Sequence, residues 1–258
     1  MDSLLIQKLG YALIIFIASI VSGLLPLLDV KSSKPSKLTM GKEFIVGEAL
    51  ASGIFLGAAL LHMLNDAARD FYSLEYEYPI AYLLAGIVFL TLLLLEHIGR
   101  EVNEHAGNNN LLFVLLTVVM MSIHALFEGI ALGTRSDLSL LIIMFVAIIG
   151  HKWAESYSLA VQFRKNNIDK KLSWFLFLIF ALMTPFGIFL GNLANSDNLT
   201  GNHILAPIFT SLAAGTFLYI GTLHGLNRAV MVERCCNLRD YMFVILGFSL
   251  MAIIGIWI

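Results

Sequence analysis

Between Ser122 and Ala160 the chain reads SIHALFEGIALG, then a polar turn and an apolar stretch, then GHKWAESYSLA. Each outer segment carries a histidine and a glutamate four residues apart, His124 with Glu128 and His151 with Glu155. Residues at i and i+4 share one face of a helix, so two neighbouring helices would each present an imidazole and a carboxylate. The surroundings are apolar enough to lie in a membrane. A charged side chain at the middle of a span costs roughly 2.5–3.5 kcal/mol on insertion scales, so such residues point to function. Imidazole nitrogen mixed with carboxylate oxygen is a donor set suited to a divalent transition metal.

The elements that must position these residues follow from hydropathy. Of 258 residues, 59% are hydrophobic and 13% charged, with a mean hydropathy of +0.84. Soluble domains carry about 25% charged residues, so this composition belongs to a polytopic membrane protein. Eight segments have the roughly 20 apolar residues a span needs: 8–28, 45–66, 80–99, 111–133, 139–163, 172–193, 204–227 and 241–257. Long apolar runs without period-two alternation indicate helices, not a barrel. We therefore expect an all-α bundle of eight transmembrane helices forming one domain over 1–258. The first apolar run is long enough to span and shows no clear cleavage site. Cys235 and Cys236 are adjacent and supply neither a disulfide framework nor a four-ligand zinc site.

Basic residues set the expected orientation. Lys31, Lys34, Lys37, Lys42, Arg100, Arg164, Lys165, Lys170, Lys171, Arg228, Arg234 and Arg239 follow odd-numbered spans, whereas Lys8, Arg69 and Arg135 lie on the other side. By the positive-inside rule the first group faces the cytoplasm and both termini lie outside. The sequon Asn198-Leu199-Thr200 then falls outside too. Span 2 (SGIFLGAALLHMLNDA, from Ser52) and span 7 (AGTFLYIGTLHGLNRA, from Ala214) match without gaps at Gly53/Gly215, Phe55/Phe217, Leu56/Leu218, Leu61/Leu223, His62/His224, Leu64/Leu226, Asn65/Asn227 and Ala67/Ala229. The expected topology runs these copies in opposite directions, which gives an inverted repeat of spans 1–3 and 6–8 in a 3+2+3 arrangement. Small-xxx-small pairs, Gly129/Gly133 and Gly187/Gly191 among them, allow close helix approach. Pro185 should kink span 6.

With Thr134 to Ser139 as the turn, His124 lies roughly 14 Å and His151 roughly 18 Å from it, at 1.5 Å per residue. The histidines therefore share a depth. Glu128 falls about one turn to one side of that level and Glu155 about one turn to the other, so straight ideal helices would not bring all four residues to one ion. The alternative is a pair of packing salt bridges. His62 with Asp66 near one mouth, and His224 with Glu96 near the other, suggest a path through that centre. Lys152, at membrane depth beside His151, has three options: to snorkel, to pair with a carboxylate, or to stand where a second cation would bind. The last two are preferred together.

These segments resemble the ZIP (Zrt/Irt-like) family of divalent-metal transporters. The resemblance rests on HALFEGIALG, HKWAES, TPFGIFLG, AAGTFLYIGTLHGLN and GIFLGAALLHMLNDA. It implies that His124, Glu128, His151 and Glu155 form the metal site. Where some relatives hold a second ion, this chain has Ala125, Lys152 and Thr184, so one transported ion is expected. The resemblance further implies a homodimer and an elevator-like movement of spans 1, 4, 5 and 6 against 2, 3, 7 and 8. The resulting expectation is a non-enzymatic secondary transporter. It would bring Zn²⁺ or a related divalent metal into the cytosol across the plasma membrane or a bacterial inner membrane. The metal is its substrate, with no resident cofactor and no nucleic-acid partner. An intramembrane zinc hydrolase is the alternative, although the HxxxE spacing differs from HExxH and leaves no adjacent glutamate as base. A metal-free structural bundle is the third reading.

Overall fold

The computed structural model describes residues 3–28, 42–105, 110–196, 204–223 and 238–257. His224, the sequon at 198–200 and the two cysteines lie outside them. Every regular element among the described residues is helical, and eight helical segments are long and apolar enough to cross a membrane. They are α1 (Ser3–Leu28), the composite of α2 (Lys42–Gly57), a π-helical stretch (Ala58–Met63) and α3 (Leu64–Ser73), α4 (Ile80–His105), α5 (Asn110–Gly133), α6 (Leu138–Lys165), α7 (Lys170–Ser196), α8 (Leu205–Tyr219), and α9 (Leu238–Trp257). Several helices outrun their apolar stretches. The second continues to Ser73, beyond the expected end at 66, because the polar end LNDAARDFYS still packs Ala67 and Phe71 against Ala81. The turn after α5 is short, and Asp137 caps α6 by accepting a hydrogen bond from Leu140 N at 3.0 Å.

Polar contacts fix the alternation of helix direction. Lys8, near the start of α1, donates to Gly133 O at the end of α5 (2.6 Å) and to Asn192 Oδ1 near the end of α7 (3.1 Å). At Gly133 O the lysine satisfies a carbonyl that the last helical turn leaves open. At the opposite end of the bundle, Glu48 on α2 accepts from Lys165 and Gln162 on α6, and Glu96 on α4 accepts from Tyr219 on α8. We call these the Arg135 end and the Lys165 end.

The helices pack mainly as two sets, α1 with α5, α6 and α7, and α2 and α3 with α4, α8 and α9. The closest crossing within the first set is α5 on α7, where the small-xxx-small pairs meet each other. A Cβ on Gly129 would stand 2.3 Å from Thr184 O and 3.0 Å from Gly187 Cα, and one on Gly191 would stand 2.3 Å from Ile130 O. Only glycine permits this approach. Helix α7 runs through Pro185 without interruption. The two sets meet chiefly where α5 lies on α8 and α2 on α6.

The aligned spans 2 and 7 share a local deviation. Span 2 becomes π-helical at Ala58, and span 7 does so over 220–223, beginning at the aligned position. Phe55 and Phe217, an aligned pair, also touch each other, with ring centroids 4.9 Å apart.

Candidate metal site

Helices α5 and α6 carry the four candidate ligands, and α8 crosses α5 beside them. His124, Glu128, His151 and Glu155 are all buried, and one ligand atom from each lies within 4.8 Å of every other. His124 Nε2 is 3.9 Å from Glu128 Oε1 and 3.6 Å from Glu155 Oε1. His151 Nε2 is 2.5 Å from Glu128 Oε1 and 3.6 Å from Glu155 Oε1. Donors bound to zinc at about 2.0–2.1 Å stand about 3.4 Å apart at the corners of a tetrahedron. Three of the separations are already near that value. The fourth is a hydrogen bond that an ion would replace. Two of these atoms, His124 Nε2 and Glu155 Oε1, are buried without any hydrogen-bond partner. Orphaned buried donors and acceptors are costly, and two facing one point suit the coordination of a cation.

The neighbouring helix prepares His124 for that role. Its Nδ1 lies 3.1 Å from Ala213 O and 2.6 Å from Thr216 Oγ1, while the Thr216 hydroxyl donates to Ala213 O at 2.6 Å. A carbonyl oxygen only accepts, and the threonine proton is already committed to it. Nδ1 therefore carries the ring hydrogen, which leaves the Nε2 lone pair aimed into the cluster. Phe217 stacks on the same ring at 3.6 Å between centroids and 14° between planes, and meets His151 edge-on at 5.0 Å.

Lys152 is fully buried and does not snorkel. It donates to Glu155 Oε2 at 2.7 Å and to Glu128 Oε2 at 3.2 Å. Each carboxylate thus has one oxygen toward the histidines and one on the ammonium. This shared lysine, standing between residues on different helices, accompanies the convergence of Glu128 and Glu155 that straight helices would not give. Of the other two positions, Ala125 offers no donor and Thr184 has only a buried hydroxyl.

The other sequence-derived positions lie toward the ends. His62, on the π-helical stretch, is buried, with Nδ1 2.9 Å from Asp66 Oδ2. Inserting a π turn re-aims side chains and is common at functional sites. Asp66 lines a cavity of about 310 Å³ at the Arg135 end together with Arg69, Asp70, Arg135 and Met144. Within it Asp70 and Arg135 approach to 2.6 Å. Glu96 sits toward the Lys165 end, held by Arg100 (2.5 Å) and Tyr219. The structure does not bring His62, Asp66 or Glu96 into the central cluster.

Sequence reasoning did not assign roles to Ala213, Thr216 or Phe217, or to the Glu48–Lys165 pair. The first three stand inside the AAGTFLYIGTLHGLN segment, and the Phe55/Phe217 match was the one signal that pointed to them. Glu48 and Lys165 lie in separate helices with no shared pattern.

A helical membrane bundle with a buried two-histidine, two-carboxylate cluster defines a class of metal-handling membrane proteins. Comparison with known proteins specifies it further. The family model described as ZIP Zinc transporter matches residues 5–111 and 101–255, so the chain belongs to that family and is an integral membrane protein. Zinc transporter ZIP2 of Mus musculus is 26% identical, with 100% of both chains covered. Zinc transporter 11 of Arabidopsis thaliana is 26% identical over 99% of this chain and 86% of its own. Protein zntD of Dictyostelium discoideum is 31% identical over 162 residues, which are 62% of this chain and 24% of that one.

Proposed function

We propose that the chain is a secondary transporter that carries Zn²⁺, or a related divalent transition metal, into the cytosol by alternating access. The observation that carries this reading is the pair of orphaned atoms, His124 Nε2 and Glu155 Oε1, inside a buried cluster of four ligands. His124, Glu128, His151 and Glu155 replace the ion's hydration shell. The short His151–Glu128 contact holds a proton, and an ion that takes both atoms as ligands displaces it. A single ion occupies the site, because Lys152 already neutralises one of the two carboxylate charges.

The cavity at the Arg135 end, with Asp66 and then His62 below it, serves as the outer approach. At the Lys165 end the path is closed by Glu48, held by Lys165 and Gln162, and flanked by Glu96. His224 belongs to the inner mouth by its alignment with His62. The division of helices into two sets supports an elevator-like shift of α1, α5, α6 and α7 against the rest, in a homodimer whose termini face outward. The names of the relatives support zinc as cargo.

The test is metal uptake into liposomes carrying the purified chain, with Zn²⁺, Fe²⁺, Mn²⁺ and Cd²⁺ in parallel. Saturable flux that disappears in His151→Ala and Glu155→Ala, at equal protein per vesicle, is expected. Wild-type rates in either variant would refute the site. Tight metal binding without flux, accompanied by peptide or lipid cleavage, would establish the hydrolase instead.

A further inference from the structure

We propose that Lys152 sets the metal preference of the site, by restricting Glu128 and Glu155 to one ligating oxygen each. This rests on the four-ligand reading above and goes beyond it. A carboxylate binds a metal through one oxygen or through both. Here the second oxygen of each is occupied by the same ammonium, at 2.7 Å for Glu155 and 3.2 Å for Glu128. The lysine is fully buried, and its Nζ lies 5.2 Å from the centre of the Phe180 ring. The remaining oxygens, Oε1 of each glutamate, are the ones within 3.9 Å of the histidine Nε2 atoms.

What is left is two nitrogens and two oxygens, with nitrogen–oxygen separations of 2.5, 3.6, 3.6 and 3.9 Å, a set that a four-coordinate ion can draw together. Zn²⁺ accepts four such donors, whereas Mn²⁺ favours six, largely oxygen. With the lysine in place, the protein can raise the coordination number only by admitting water to a buried site. Charge acts alongside geometry. Two carboxylates and one ammonium leave the site at −1, so the lysine weakens every divalent ion while penalising most those that need the blocked oxygens. Removing it should tighten binding overall, lower the KM, slow release and flatten the ranking of metals.

Co²⁺ reports this directly, since four-coordinate Co²⁺ absorbs far more strongly in the visible than six-coordinate Co²⁺. The purified full chain in lipid nanodiscs is titrated with Co²⁺, and then with Zn²⁺ and Mn²⁺ as competitors. Wild type is expected to give the intense four-coordinate band, and His124→Ala/His151→Ala to lose it. In Lys152→Met the band weakens, and the Zn²⁺/Mn²⁺ affinity ratio falls by about tenfold or more, the scale on which residues supporting ligands act. A Lys152→Met protein that keeps both the band and the ratio overturns the inference while leaving the site intact. A weak, six-coordinate spectrum in wild type overturns it without recourse to any variant. Absence of Co²⁺ binding that depends on the histidines overturns the site and the role of Lys152 together.

Discussion

Thr216 tests whether α8 tunes the proposed metal site, whose candidate ligands all lie on α5 and α6. Thr216→Val keeps the side-chain volume and removes the hydroxyl that sits 2.6 Å from His124 Nδ1. Ala213 O, at 3.1 Å, remains as the longer partner. The imidazole then keeps its tautomer but loses its shorter hydrogen bond, and with it orientation and basicity at Nε2. Loss of such a supporting contact typically costs 10–100-fold in metal affinity. Because one of two acceptors survives and the Phe217 stack at 3.6 Å still holds the ring plane, the lower end applies: about tenfold, or ~1.4 kcal/mol. The assay is Zn²⁺ competition against a chelating dye, paired with initial uptake rates. KM should rise by a similar factor, and Thr216→Ser should restore wild-type affinity, because it returns the hydroxyl. Affinity within twofold of wild type in Thr216→Val would refute the argument, as would a Thr216→Ser protein no better than the valine variant.

Two further predictions concern the scaffold. Gly129→Ala puts a Cβ 2.3 Å from a backbone oxygen of α7, so the α5–α7 crossing must open. Overpacking of this kind costs roughly 1–3 kcal/mol or more. The thermal midpoint in detergent should fall, while Gly86→Ala, which meets nothing within 4 Å, should leave it unchanged or slightly raised. Lys165→Gln removes the charge that pairs with Glu48 between the two helix sets. It should increase thiol labelling of a cysteine placed at Gln162 from the Lys165 side, and unchanged labelling would show that the pair does not close that end.

Much of the molecule was legible from sequence, for reasons that can be traced to particular residues. The eight spans are local properties, because each is a run of apolar side chains long enough to replace water with lipid. The pairing of the candidate ligands is local as well. His124 with Glu128, and His151 with Glu155, are fixed to one helical face by spacing alone, and their burial cost marks them as unusual. The span ends are less legible, since Asn65 to Ser73 are largely polar and yet continue the helix by packing Ala67 and Phe71 on α4. Tertiary structure alone decided how the pieces converge. Glu128 and Glu155 sit on opposite sides of the histidine level on ideal helices, and meet in a cluster that contains Lys152. Thr216 and Phe217 acquire a role only because α8 crosses α5 at the height of His124. Glu48 finds Lys165 from 117 residues away. Such contacts depend on crossing angles and on how closely backbones approach. The α5–α7 crossing shows the same dependence, since its glycines set the approach jointly, as a property of a pair of helices that no single segment encodes.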